Sequence, residues 1–161
     1  MPVIPQSLQL AITLGQASFC HDTIGITLPA GIEVEMNWGP SDKRVYIVFS
    51  MTFGTYKLGA YQADGSYVGW EFWHSHPTQM ALHFDPLVKS LDRVEYPHWL
   101  VCTSRDMVYL RIKNGFDTTE TLDVTIWYIV CTKDQYLQLL DLLKGEAALY
   151  LNELKKYEVK R

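Results

Sequence analysis

The densest group of side chains able to do chemistry lies in Trp73-His74-Ser75-His76-Pro77, with His83 and Asp85 close behind. Residues two apart on a strand point the same way, so His74 and His76 would present both imidazoles to one point. A metal ion held there could take His83 or Asp85 as a third ligand and water as a fourth, the arrangement of a hydrolytic zinc site. The ordinary alternative is a hydrogen-bonded pair of histidines in a loop or at a strand end, because motifs this short often match by accident.

The stretch Gly69-Trp70-Glu71-Phe72-Trp73-His74-Ser75-His76-Pro77 resembles the histidine motif of the JAMM metalloproteases, in which an HxHP segment follows a Gly-Trp pair. That resemblance implies a zinc-dependent hydrolase with His74 and His76 as ligands. It covers barely twenty residues and departs from the family in three ways. Val88 stands where the ligand aspartate is expected, with Asp85 at the preceding serine position. Two extra residues separate Gly69-Trp70 from the histidines, and the long helix that should follow an upstream glutamate, Glu33 or Glu35, is missing from the pattern. A cupin scheme fits no better, since Glu95 and His98 fall at the wrong distances after His76.

Other constellations are thinner. Cys20 and His21 are neighbours whose side chains diverge on a strand, which predicts a structural cysteine rather than an activated nucleophile. Glu33 and Glu35 share a strand face, where alternating acids are ordinarily solvated. There is no GxSxG, GxGxxG or GxxxxGK[ST], so neither a nucleophile elbow nor a nucleotide fingerprint is present. Three cysteines, Cys20, Cys102 and Cys131, lack CxxC spacing and are odd in number, which predicts reduced, buried thiols.

The aromatic group Trp70, Phe72 and Trp73, with Tyr61 and Tyr67 nearby, admits three roles: core, sugar-stacking platform or subunit interface. Trp73 and Glu71 share one face of a strand while Trp70 and Phe72 share the other, so large rings point both ways. A monomer rarely leaves so much apolar area in solvent, and aromatic anchors are enriched at interfaces. The expected interface set is Trp70, Phe72 and Trp73, joined by Trp127 of the last strand.

The elements that would position these residues are mostly strands. Alternation of Leu8, Leu10, Ile12 and Leu14 predicts a first strand. Ile24–Leu28 and Ile32–Trp38 flank a Pro29-Ala30-Gly31 turn. Val45–Phe53 is apolar at nearly every position and predicts a central strand covered on both faces. Tyr67–Trp73, Leu100–Ser104, Met107–Lys113 and Thr121–Val130 follow, the second and third around an Arg105-Asp106 turn, and Asn114-Gly115 reads as a turn that ends a strand. The excursion from His74 to His98 holds Pro77, Pro86 and Pro97. Thr132 with Gln135 fits a capping box, opening an amphipathic helix over 132–158 through Tyr136, Leu139, Leu140 and Leu143. Short strands with no helix until the end predict a mainly β, antiparallel sandwich, jelly-roll-like, with a C-terminal amphipathic helix. One domain over 1–161, with an N-terminal arm over 1–7, is expected.

At 161 residues with 48% hydrophobic and 13% aromatic content, the chain can bury a core. A net charge of -4 and scattered Lys and Arg argue against nucleic acid. The basic tail, Lys155, Lys156, Lys160 and Arg161, is the usual complement of a helix C-terminus. No apolar run reaches membrane-spanning length and the N-terminus is unlike a signal peptide, so synthesis in the cytoplasm, no secretion by signal peptide and no membrane partner are expected.

Val108–Gly115 followed by Leu122–Tyr128 resembles the closing strands of jelly-roll virion proteins. That likeness implies a non-enzymatic auxiliary or decoration protein of a virus or phage particle. It would act as a homo-oligomer, a trimer by expectation, meeting other virion proteins and resident on the virion. No cofactor belongs to this reading. Zinc belongs only to the alternative, a hydrolase using His74 and His76, and a sugar-binding β-sandwich is the third possibility.

Overall fold

A computed structural model describes residues 17–76, 82–83 and 93–140, together with Gln6, Gln9, Ile12 and Gly15. Of residues 82–83 and 95–99 only the backbone is described. The described residues are mainly β, with antiparallel sheets and a short helix, α1, over 133–140. Among the described residues ten strands occur: β1 (Ser18–Leu28), β2 (Glu33–Trp38), β3 (Val45–Thr55), β4 (Ala60–Tyr61), β5 (Tyr67–Val68), β6 (Trp70–Ser75), β7 (Leu82–His83), β8 (Arg93–Cys102), β9 (Val108–Asn114) and β10 (Glu120–Cys131). One four-stranded sheet runs β1-β10-β3-β8 and a second runs β2-β9-β6-β7, while β4 and β5 form a separate hairpin.

Period-two alternation explains why the two sheets face each other. Ile26 and Leu28 of β1, Leu122, Val124 and Ile126 of β10, and Met51 and Phe53 of β3 enter the same core as Trp70 and Phe72 of β6 and Val108, Leu110 and Ile112 of β9. Residues one step away along each strand point outward. Burying a side chain of this size stabilises the fold by roughly 1.5–3 kcal/mol, and Leu110, Ile112, Phe72, Leu122 and Val124 are each wholly buried.

The first sheet is covered a second time. Val45, Ile47 and Phe49 of β3 and Ile129 and Cys131 of β10 form an outer cluster with Ala17, and α1 lays Leu139 and Tyr136 onto it. β3 serves both clusters because its alternate residues face opposite ways, and Phe49 is an extra residue within it: β10 passes from Trp127 opposite Ser50 to Tyr128 opposite Val48. Such a bulge shifts the alternation by one, so Tyr46 and Val48 before it and Met51 and Phe53 after it all serve the inner core. The expected central strand is therefore found, and its nearly continuous apolar run reflects burial on both faces.

α1 begins as predicted. The Thr132 N–H donates to Gln135 Oε1 at 2.8 Å and the Gln135 N–H to Thr132 Oγ1 at 3.1 Å. Residues 141–158 of the expected helix lie outside the described residues. Among the described residues, no helix is long and apolar enough to cross a membrane.

The N-terminal expectation needs correction. Gln6, Gln9 and Ile12 are helical, not extended, and Ile12 packs on the outer cluster. Leu8, Ala11 and Ile12 also satisfy helical spacing in the sequence, an ambiguity that alternation alone does not settle. Of the expected arm, 1–7, only Gln6 is described.

Asn114 ties one end of the sandwich together. It is fully buried; its side-chain N–H groups donate to the carbonyls of Leu28 (2.8 Å), Pro29 (3.2 Å) and Thr118 (2.9 Å), and its Oδ1 accepts from the Phe116 N–H at 2.8 Å. The β1–β2 turn and the β9–β10 loop are thereby fastened to one side chain. Gly115 must follow, because a Cβ there would stand 2.4 Å from the Gly69 carbonyl oxygen. Asn114→Ala strands three acceptors and a donor away from water. It should cost about 2–4 kcal/mol in denaturant unfolding, whereas exposed Asn37→Ala should stay within about 0.5 kcal/mol.

Candidate functional site

His74 and His76 are brought to the same side of the backbone, as two-residue spacing requires, but they point into the protein. Trp70, Phe72 and His74 alternate inward along β6, and His74 is 2% exposed with its ring 5.8 Å from that of Phe72. His76, 4% exposed, has its Nε2 3.1 Å from the backbone oxygen of Asp106. Burial pushes the His74 imidazole down to about 4, which keeps it neutral near pH 7.

Among the described residues, no three His, Cys, Asp or Glu side chains gather where they could hold a metal ion. The β6–β7 register sets His83 across from Trp73 and Leu82 across from His74, so the backbone does not oppose His83 to either candidate ligand. Asp85 lies outside the described residues. Cys102 is buried, and burial pushes its thiol up to about 12, a protonated structural group.

The interface expectation is redistributed. Trp70 and Phe72 are 1% and 0% exposed inside the core of this same chain, so neither is available to a partner. The opposed sheet hides them, which strand-level pattern could not reveal. Trp127 is half-buried on the outer face, stacked on Phe19 at 5.8 Å and donating from Nε1 to Thr52 Oγ1 at 3.0 Å. Trp73 is half-buried on the outer face of the second sheet, with the Arg111 guanidinium 4.2 Å above its ring centre. That cation occupies the surface a sugar would stack against.

Around Trp73 the outer face is a ladder of charges. Glu33, Lys113 and Glu71 stand in one row, Glu35, Arg111 and Trp73 in the next, and Asn37, Tyr109 and Ser75 in a third. Arg111 Nε lies 3.0 Å from Glu33 Oε1, and a hydrogen bond to Glu35 raises the Tyr109 phenol. Glu33 and Glu35 are thus engaged by cation and phenol, the arrangement of a solvated, self-neutralising face.

Sequence reasoning missed a polar group between the sheets. Asp22 of β1 accepts from Trp38 Nε1 at 3.2 Å and from the Tyr128 hydroxyl at 2.9 Å, and the rings of Trp38, Tyr46 and Tyr128 pack with centroids 4.7–5.4 Å apart. The signal was available: Asp22 interrupts the inward series Cys20, Ile24, Ile26. Cys20 sits beside it, its thiol raised by burial and then by Asp22, while exposed His21 turns outward against Trp127 at 5.0 Å. The two side chains diverge, as expected.

Large apolar side chains are nevertheless open to solvent. Ile32 (48%), Tyr56 (98%), Leu58 (56%) and Tyr61 (62%) belong to the end fastened by Asn114, where Lys57 reaches Thr118 and Glu120 and the Gly115 N–H donates to Gly69. A shallow depression at the other end of the chain path, lined by Asp42, Lys43, Arg44, Thr132, Lys133 and Asp134, is of mixed sign, and Arg44 is held by Asp42 at 2.8 Å.

No protein-family model matches the chain, and no curated protein sequence matches it.

The neutral state of His74 has a measurable consequence. Unfolded histidine takes up a proton below about pH 6.5, whereas His74 in the fold resists until about pH 4. Its contribution to stability is therefore intact above pH 6.5 and falls as pH drops through that window, by about 3 kcal/mol in total. Urea titrations from pH 7 to pH 4 should show wild type losing this much relative to His74→Phe. Parallel loss in both proteins would refute the buried neutral imidazole.

Proposed function

We propose that this chain is a jelly roll serving as a non-enzymatic structural protein, an auxiliary or decoration protein of a virus or phage particle that works as a homo-oligomer. The observation that carries the reading is the strand order. Eight strands alternate between two sheets as β1-β10-β3-β8 and β2-β9-β6-β7, so that each sheet draws on early and late strands of the chain. Two nested Greek keys connected this way are the jelly-roll design, used by capsid and lectin domains and by cupins.

Fold alone does not carry function, and the interior supports the choice among these uses. Trp70, Phe53, Phe72 and Met51 fill the space between the sheets where a cupin would keep a ligand cavity. Trp73 lies under Arg111, which leaves it poorly placed for sugar stacking. Ile32, Tyr56, Leu58 and Tyr61 are exposed at one end of the sandwich, a surface suited to neighbouring subunits or particle proteins. Three copies remain the proposed number, with the virion as the final location.

Light scattering of the purified protein tests the reading. A mass of several chains is expected, decreasing when Tyr56, Leu58 and Tyr61 are together replaced by Ser and unchanged in His76→Ala. A single-chain mass at every concentration would overturn it.

A further inference from the structure

Among the described residues, β1 differs from β2, β7 and β8, the other edge strands of the two four-stranded sheets. β1 pairs with β10 through eleven consecutive residues, Ser18 to Leu28, with no shift of register. Among the described residues it has no strand on its other side. The chain leading into it turns away at Gly15, with φ at 71°, and Ile12 and Ala17 pack on the outer cluster rather than along the edge.

An unpaired edge invites another strand, and proteins ordinarily guard it with charge, proline, a bulge or brevity. β2 carries Glu33 and Glu35 on its outer face. β7 is two residues long. β8 contains Pro97 and jumps in register against β3 from Leu100 to Glu95. β1 has no lysine, no proline and no bulge. Its one acid, Asp22, is turned between the sheets and already takes hydrogen bonds from Trp38 and Tyr128.

We infer that β1 is a self-pairing edge: two copies of this chain join antiparallel through it about a two-fold axis at Thr23, making one continuous eight-stranded sheet. The register follows from two constraints. A two-fold axis perpendicular to the sheet keeps inner faces continuous only if residues of like facing oppose each other, so it passes through a residue and not between two. An axis at Asp22 would set carboxylates face to face, which is destabilising, whereas an axis at Thr23 overlaps the whole strand. His21 then meets Gly25, whose missing side chain leaves room for imidazole, Asp22 meets Ile24 and Phe19 meets Thr27. Thr52, Thr125 and Thr23 already form one row in each copy, with Thr23 and Thr125 hydroxyls 3.0 Å apart, and the axis doubles that row.

This contact rests on the self-assembly half of the proposed function and adds a two-fold surface to it, joining copies whether or not a three-fold ring is also present. Opposed residues in an antiparallel ladder lie about 4.5–5.5 Å apart at Cα, a span a disulfide bridges. Thr23→Cys, treated with diamide, should run as a two-chain species that dithiothreitol reverses. Wild type should not, because Cys20 would oppose Ile26 and stand about 20 Å from its counterpart; exposed Thr119→Cys should also stay single. Thr23→Lys should weaken self-association about ten-fold or more without altering the melting curve of the dilute protein. A multimeric protein in which Thr23→Cys gives no cross-link, or Thr23→Lys associates normally, overturns the β1 contact alone. A wild type of single-chain mass throughout overturns the contact and the assembly reading together.

Discussion

β3 and β10 have hydrogen-bonded neighbours on both edges and buried side chains on both faces, and the rest of the molecule is arranged around that double burial. A sheet with two apolar faces must be covered twice. The second sheet supplies one cover through Trp70, Phe72, Leu110 and Ile112, and α1 with the chain before β1 supplies the other through Leu139, Tyr136, Ile12 and Ala17. Alternation lets a single strand contribute to both layers, and the extra residue at Phe49 shifts that alternation by one along β3. Because the covers come from distant parts of the sequence, closure at the sandwich end falls to a polar side chain: Asn114 is the residue that the β1–β2 turn and the β9–β10 loop hold in common.

Much of this layering is legible in the sequence where burial is periodic. Val45–Phe53 announces its central place because no solvent face has to be accommodated, and Thr132 with Gln135 announces a helix start because their reciprocal bonds are local. What depends on contacts between remote segments is not legible. Trp70 and Phe72 look like surplus aromatics until the opposite sheet is placed over them, Pro97 looks like a loop marker until it is found on an edge strand that tolerates it, and Asn114 looks like a simple turn residue. Leu8 to Leu14 satisfies two periods at once, and the choice at Gln9 and Ile12 goes to helix.

The same layering decides what chemistry the surface and interior allow. Imidazoles that two-residue spacing would aim at a metal are instead turned inward beside Phe72 and Asp106. The outer face of the second sheet pairs its charges internally, Arg111 serving both Glu33 and Trp73. Among the described residues, surface that is neither charged nor covered lies at the loops near Asn114, at Leu137 and Leu140 of α1, and along the edge of β1.

Amide hydrogen exchange along β1 tests the proposed self-assembly most directly. In a lone sandwich, every second amide from Ser18 to Leu28 points away from β10 and should exchange as readily as a loop amide. Self-pairing predicts that these alternate amides become slow as protein concentration rises, until β1 is protected along its whole length. Fast exchange at the alternate positions at every concentration would contradict the account.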